Sequence, residues 1–219
     1  MTVELKGLSE PFRLDLELAT KEYKRRPVDP GKATDFFRTL WAEDGRGVDI
    51  SVSVPECPFT QEKLREMRRE RRGPIYLPEA LSTQESRYLL GKMFPKMKSH
   101  SVEEGNTVTN EVVHSGWRQF DMSIDAPHLG TNESQLKAAM ALGDEIPILN
   151  EFIFASQVSK LLTGKYLDEG TLSRILGSRR DGRVVRAHFD SAGSLDVHSF
   201  WNPGHRSSHL GGRFSRGVN

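Results

Sequence analysis

Apolar and polar residues alternate most sharply near the C-terminus. Val185, Ala187 and Phe189 share one face of an extended run, and Arg186, His188 and Asp190 share the other. Asp181-Gly182 precedes the run. A two-residue Asp-Gly loop suits the positive φ of a type I′ turn, so a hairpin is predicted. It pairs Arg180 with Arg183, Ser178 with Val185 and Leu176 with Ala187. A second turn at Ser191-Ala192-Gly193 pairs Asp190 with Ser194, Phe189 with Leu195 and Ala187 with Val197. His188 then faces Asp196, and Arg186 faces His198. A slip of one residue would turn the apolar face to water, which specifies the register. The prediction is a three-stranded antiparallel meander with one apolar face and one Arg/His/Asp face. Leu176, Ala187 and Val197 fall in one row.

The rest of the chain reads less evenly. Phe12, Leu14, Leu16 and Leu18 alternate with Arg13, Asp15 and Glu17, which predicts a strand. Asp29-Pro30 marks an N-cap and first helical position, and Phe36, Phe37, Leu40 and Trp41 form the buried stripe of a helix that Gly45 and Gly47 end. Val48, Ile50, Val52 and Val54 alternate as a strand, so a crossover with parallel strands is expected over residues 12–54. Thr60 caps a polar helix running to Arg72, whose apolar positions are Leu64 and Met67. Gly73-Pro74 starts a loop. A short helix holds Tyr88, Leu89, Leu90, Met93 and Phe94 and stops at Pro95. Strands are expected over residues 108–113 and 117–124, then a helix capped by Thr131 with Leu136, Ala139 and Met140 as its stripe. Pro147 opens the longest helix, which Gly164 ends. Its apolar arc makes it the element to pack on the meander, with Ser156, Gln157, Ser159, Lys160 and Thr163 facing away.

These elements predict an α+β fold: a helix-rich N-terminal half, then a mostly antiparallel sheet with packed helices and the C-terminal meander. Residues 1–219 read as a single domain. Residues 96–106, poor in core positions, offer an internal boundary, and residues 202–219 read as a loop-like tail.

Composition is that of an ordinary globular protein, with 36% apolar and 28% charged residues. The net charge of +1 argues against a generic polyanion binder. Its distribution matters more. Residues 171–219 hold eight Arg, three Asp and no Lys, a local +5, so the remainder sums to −4. Arg without Lys suits bidentate contact with carboxylate or phosphate. The single cysteine, Cys57, excludes an internal disulfide framework and a multi-Cys zinc site. No apolar run reaches the ~20 residues of a membrane span. A cytoplasmic protein with no membrane partner is expected.

Candidate chemistry clusters at the C-terminal end. His188, Asp196 and His198 offer an oriented acid–base set, because a carboxylate beside an imidazole fixes its tautomer. His198 with His205 and His209 offers three metal-ligand types, although the last two lie in a Gly/Ser-rich stretch that no helix organises. Arg186, Arg206, Arg213 and Arg216 are the anion-reading candidates, the last two within the Gly-rich segment Leu210 to Gly217, able to cradle an anion through backbone N–H groups. Arg68, Arg69, Arg71 and Arg72 form a second basic run. No Gly-rich nucleotide loop, nucleophile elbow or nucleic-acid motif is present. The hairpin, Trp201 and the terminal Gly-Gly-Arg resemble some bacterial families of unknown function, a resemblance that implies no activity or cofactor. The leading expectation is a non-catalytic binding or accessory module whose Arg-rich C-terminal face meets an acidic protein or an anionic small molecule. The alternatives are a metal-assisted or His/Asp-based hydrolase on the meander, and a nucleic-acid-binding protein.

Overall fold

The computed structural model describes residues 10–42, 52–199 and 202–218. Three helices come first: α1 (Glu10–Arg25), α2 (Pro30–Leu40) and α3 (Gln61–Arg69). Then follow β1 (Arg72–Leu77), α4 (Arg87–Met93), β2 (Thr109–Asn110), β3 (Gly116–Asp121), α5 (Glu133–Ala138) and α6 (Leu149–Thr163). The chain ends with β4 (Leu172–Arg180), β5 (Arg183–Phe189), β6 (Leu195–Ser199), β7 (Leu210–Gly212) and β8 (Ser215–Gly217). The fold is α+β, as predicted. One sheet runs β1-β3-β8; the other runs β2-β4-β5-β6, with β7 parallel to β4. Among the described residues no helix is long and apolar enough to cross a membrane.

α6 sits at the centre. Every residue from Leu149 to Ser159 is buried, including Ser156, Gln157 and Ser159, which the periodicity had turned outward. They are satisfied inside: Ser156 Oγ accepts from the Leu167 amide at 3.0 Å, and Ser159 Oγ donates to the Lys165 carbonyl at 2.9 Å. Aromatic rings join α6 to both halves. Trp41 stacks on Phe154 at 4.7 Å, and Phe152 meets Phe189 of β5 at 6.0 Å. One hydrophobic cluster therefore runs from Phe12 to Val197, and it includes Met97 and Val102 of the expected boundary segment.

α1 overturns the strand expected for Phe12 to Leu18. A helix buries Phe12, Leu16 and Tyr23 against α2 and leaves Leu14 and Leu18 54% and 60% exposed. Alternation was real, but only half of it faces the core. α2 starts as predicted, with Asp29 Oδ1 accepting from the Lys32 amide. Residues 43–51, which carry Gly45, Gly47 and most of the second expected strand, lie outside the described residues. Val52 to Val54 are not in a strand, so no parallel crossover forms among the described residues here. α3 ends at Arg69, and Arg72 to Pro74, read as helix end and loop, begin β1. β1 lies at a sheet edge, where a proline's missing donor is tolerated. Asn132, not Thr131, caps α5 in a reciprocal box with Gln135.

The meander forms with the expected β5–β6 register: Phe189↔Leu195, His188↔Asp196, Ala187↔Val197 and Arg186↔His198. Asp181 and Gly182 take positive φ (51° and 73°), as a type I′ turn requires. The β4–β5 register departs from expectation. Arg179↔Val184 and Arg180↔Arg183 hold, but beyond an irregularity Ile175 pairs with Val185 and Ser173 with Ala187. Leu176 therefore leaves the Ala187 row and joins a small second cluster with Leu136 and Phe214. The cause is the start of α6. The Gly177 amide donates to Pro147 O at 2.9 Å, and Ser178 Oγ accepts from the Leu149 amide at 2.8 Å. A Cβ on Gly177 would sit 2.7 Å from that same Pro147 oxygen. The bulge lets β4 dock its backbone there.

Residues 202–218 are not a loose tail. β7 pairs with β4, and β8 pairs with β3 on one edge while Ser215 bridges to Glu145 on the other. Gly211 and Gly212 serve close packing rather than an anion cradle: a Cβ at Gly211 would overlap the Pro127 carbonyl, and one at Gly212 would overlap Leu136. Gly211→Ala is expected to lower stability by about 2 kcal/mol or more, read as a fall in urea midpoint at unchanged slope. An unchanged midpoint would refute this packing role.

Candidate functional site

The polar face of the meander assembles as the register requires. Strand pairing sets Arg174 opposite Arg186 and Arg186 opposite His198, with His188 beside them opposite Asp196. Asp196 is shared: its carboxylate lies 3.3 Å from His188 Nε2 and 2.7 Å from His198 Nε2. Asp196 and His198 are about half exposed. Arg174 is buried, and its guanidinium donates to the carbonyls of Thr131 at 2.6 Å and His205 at 2.5 Å. Burial pushes the pKa of Arg186 down, and the Asp196 charge opposes this. Burial likewise lowers that of Arg174, where Glu133 opposes and Arg186 adds to the fall. Two guanidiniums directly across from one another repel.

The three histidines expected to hold a metal do not come together. Among the described residues no set of three His, Cys, Asp or Glu is placed to hold one. His198 is committed to Asp196. His205 and His209 lie on a segment whose backbone is held along β4, with the His205 carbonyl on Arg174 and the His209 carbonyl on the Leu172 amide.

The four expected anion-reading arginines separate. Arg186 stays on the meander face, and exposed Arg206 donates to the Gly130 carbonyl at 2.8 Å. Arg213 is corrected from ligand reader to structural ion: it is fully buried, and its guanidinium lies 2.5 Å from Asp168 Oδ1 and 3.4 Å from Asp121 Oδ1. It also donates to the carbonyls of Asp121 and Ile124. Asp168 is equally buried and accepts from Thr171 Oγ1 at 3.0 Å. Arg216 belongs to the three-stranded sheet, 2.9 Å from Asp144. Cys57 is buried, and burial raises its thiol pKa despite the Phe59 amide. That environment makes it unreactive.

Two buried polar networks escaped the sequence reading, since nothing local signals them. In one, Arg87 is fully buried yet meets only neutral oxygens: Asn150 Oδ1 at 2.8 Å, Asn106 Oδ1 at 2.8 Å, Asn110 Oδ1 at 2.8 Å and Val108 O at 3.0 Å. Burial pushes its pKa down to about 10, which still leaves it charged at neutral pH. In the other, buried Glu151 faces His114 Nδ1 at 2.8 Å and the Arg118 Nε, a close charge contact not aligned as a hydrogen bond. Half-exposed Glu145 closes the set, 2.7 Å from Arg118 Nη2 and 3.3 Å from His114 Nε2. Comparison with protein-family models, curated proteins and solved structures gave no match, so function rests on this geometry.

Two outcomes follow. Arg213→Met leaves Asp168 charged and unpaired, at an expected cost of roughly 3–5 kcal/mol in denaturant unfolding. A surface ligand reader would change stability by less than about 0.5 kcal/mol. Burial alone would raise the Glu145 pKa. The Arg118 hydrogen bond, the Gly217 amide and the charges of Arg118 and His114 outweigh it and hold the carboxyl below its ordinary 4.5. A carboxyl depressed on folding contributes stability above its unfolded value, and that contribution disappears as pH falls through the folded value. Glu145→Gln should flatten the loss of stability below pH 4.5; an acid limb identical to wild type would contradict the assignment.

Proposed function

We propose that this chain is a non-catalytic binding module that takes an acidic protein segment on the polar face of β4, β5 and β6. One observation carries the reading. Arg174, Arg186, His188 and His198 share that face, and Asp196 is the sole acidic residue in the three strands. Arg174 is buried on the Thr131 and His205 carbonyls and adds charge rather than contacts, so the groups that meet a partner are Arg186, His188 and His198 on two adjacent strands. Contacts along paired strands suit a row of carboxylates on a peptide. Arg186 is the centre of the site, because it pairs across the sheet with both Arg174 and His198. A cytoplasmic setting accords with the single buried Cys57.

The Asp196–His198 contact of 2.7 Å supports a second reading, a His/Asp-based hydrolase in which Asp196 orients an imidazole base. Among the described residues no hydroxyl or thiol is hydrogen-bonded to the pair, which ranks this reading below binding.

Fluorescence anisotropy with a labelled Asp/Glu-rich peptide tests the first reading. Binding should fall as salt rises, and Arg186→Gln should weaken it about tenfold, the loss of one charge-assisted contact. An oligonucleotide that binds with a steep salt slope while the peptide does not would replace this reading with nucleic-acid recognition. Ester hydrolysis abolished by His198→Ala would replace it with the enzyme.

A further inference from the structure

A second basic site lies away from the meander, where the two arginine-rich stretches of the sequence meet. Arg72 opens β1 and Arg216 lies on β8, the two edges of the three-stranded sheet. Arg72 pairs with Asp121 and Arg216 with Gln119, so all four share one face of β3's sheet. Asp144 enters from the 141–146 loop, almost completely buried, and receives both guanidiniums: Arg72 Nη2 at 2.8 Å and Arg216 Nη2 at 2.9 Å on the same oxygen. Its other oxygen accepts from the Ala141 amide at 3.0 Å. Two cations thus converge on one carboxylate.

The hydrogen bonding around that pair is incomplete. Arg72 Nη1 and Arg216 Nε are buried without a hydrogen-bond partner, and so is Oε1 of Gln119 on the strand between them. Gln119 is 4% exposed. Buried polar atoms left unpaired are costly, and here two donors and one acceptor fall at adjacent positions of one sheet face. Amide oxygen and nitrogen are interchangeable by a flip, so Gln119 can present a donor as readily as an acceptor.

The surroundings are basic. Arg65 and Arg69 within α3 and Arg71 beyond it are exposed. The carboxylates nearby are Glu66, which Lys63 holds at 2.6 Å, Glu70, 3.9 Å from Arg72 Nε and half exposed, and Asp121, across from Arg72 and 3.4 Å from Arg213 Nη1. The Lys63 hydrogen bond, with the charges of Lys63, Arg216 and Arg69, keeps the Glu66 carboxyl below its ordinary range.

We infer that Arg72, Gln119 and Arg216 form a binding site for a phosphate-class oxyanion, with Asp144 as the fixed counter-charge that holds the two guanidiniums in position. A tetrahedral oxyanion offers several acceptors at once, which matches donors arriving from two strands. This site is independent of the meander face.

Thermal unfolding against inorganic phosphate, with chloride at equal ionic strength as control, tests it. A ligand that binds only the folded state raises Tm with concentration. The expected result is a phosphate-dependent rise that chloride does not reproduce. Arg216→Gln, a partly exposed position, should weaken phosphate binding about tenfold or more, whereas Arg206→Gln should leave it unchanged. A phosphomonoester such as glycerol phosphate forms a second arm: tighter binding than inorganic phosphate assigns a phosphorylated metabolite, and equal binding assigns the free ion. No rise beyond chloride in either arm, or an equal rise in Arg216→Gln, would overturn the proposal. Arg186→Gln leaves this site intact, so its effect on peptide binding and the phosphate result fail separately.

Discussion

The complete burial of the first turn of α6 constrains the rest of the molecule. Asn150 and Glu151 are adjacent, polar and inaccessible to water. A buried carboxylate must find charge and a buried amide must find partners, or the helix cannot occupy the centre. Glu151 draws in Arg118 from β3 and His114 from the preceding loop. Asn150 accepts from Arg87 and donates to the carbonyls of Leu81 and Thr83. Arg87 in turn fixes Asn106, Val108 and Asn110. The segment from the β1–α4 connection to β2 is thus held by the polar end of one helix. The bulge in β4 belongs to the same constraint, since Ser178 and Gly177 satisfy backbone groups at the α6 entrance.

Charge follows a related logic. The C-terminal excess of arginine looks like a surface for a partner when read along the chain. Folded, much of it answers acids from earlier segments: Arg179 meets Glu111 and Glu133, Arg213 meets Asp168 and Asp121, and Arg216 meets Asp144. Guanidinium suits this task because it keeps its charge when desolvated and offers donors in several directions. A local charge of one sign is therefore partly internal complementarity between halves of one protein. On the meander face, by contrast, Asp196 is the one acidic residue of the three strands.

Sequence and structure agree at several places where short-range rules decide. Alternation fixed the β5–β6 register because each residue of that pairing either buries or exposes a side chain, and a slip inverts all of them. Asp181-Gly182 and Gly193 took positive φ because few other residues do so cheaply. Asp29 and Thr60 capped their helices through their own side chains. The His188–Asp196–His198 cluster was legible for the same reason: cross-strand neighbours follow from register. Arg213 was misread, because nothing in a Gly-Gly-Arg segment announces that its partner is an aspartate 45 residues away.

By itself, then, the sequence determined the Asp181-Gly182 turn, the β5–β6 pairing with its two faces, the caps of α2 and α3 and the α+β class, all of which depend on residues a few positions apart. Tertiary structure decided the rest. It made α1 a helix by offering a core to Phe12 and Leu16 alone, and turned residues 210–217 into strands by giving their backbone β3 and β4 to pair with. It shifted β4 past β5 to meet the start of α6, and it brought Arg72 and Arg216 onto one carboxylate. These are long-range pairings, whose energy comes from burial and charge satisfaction between segments that no local pattern connects.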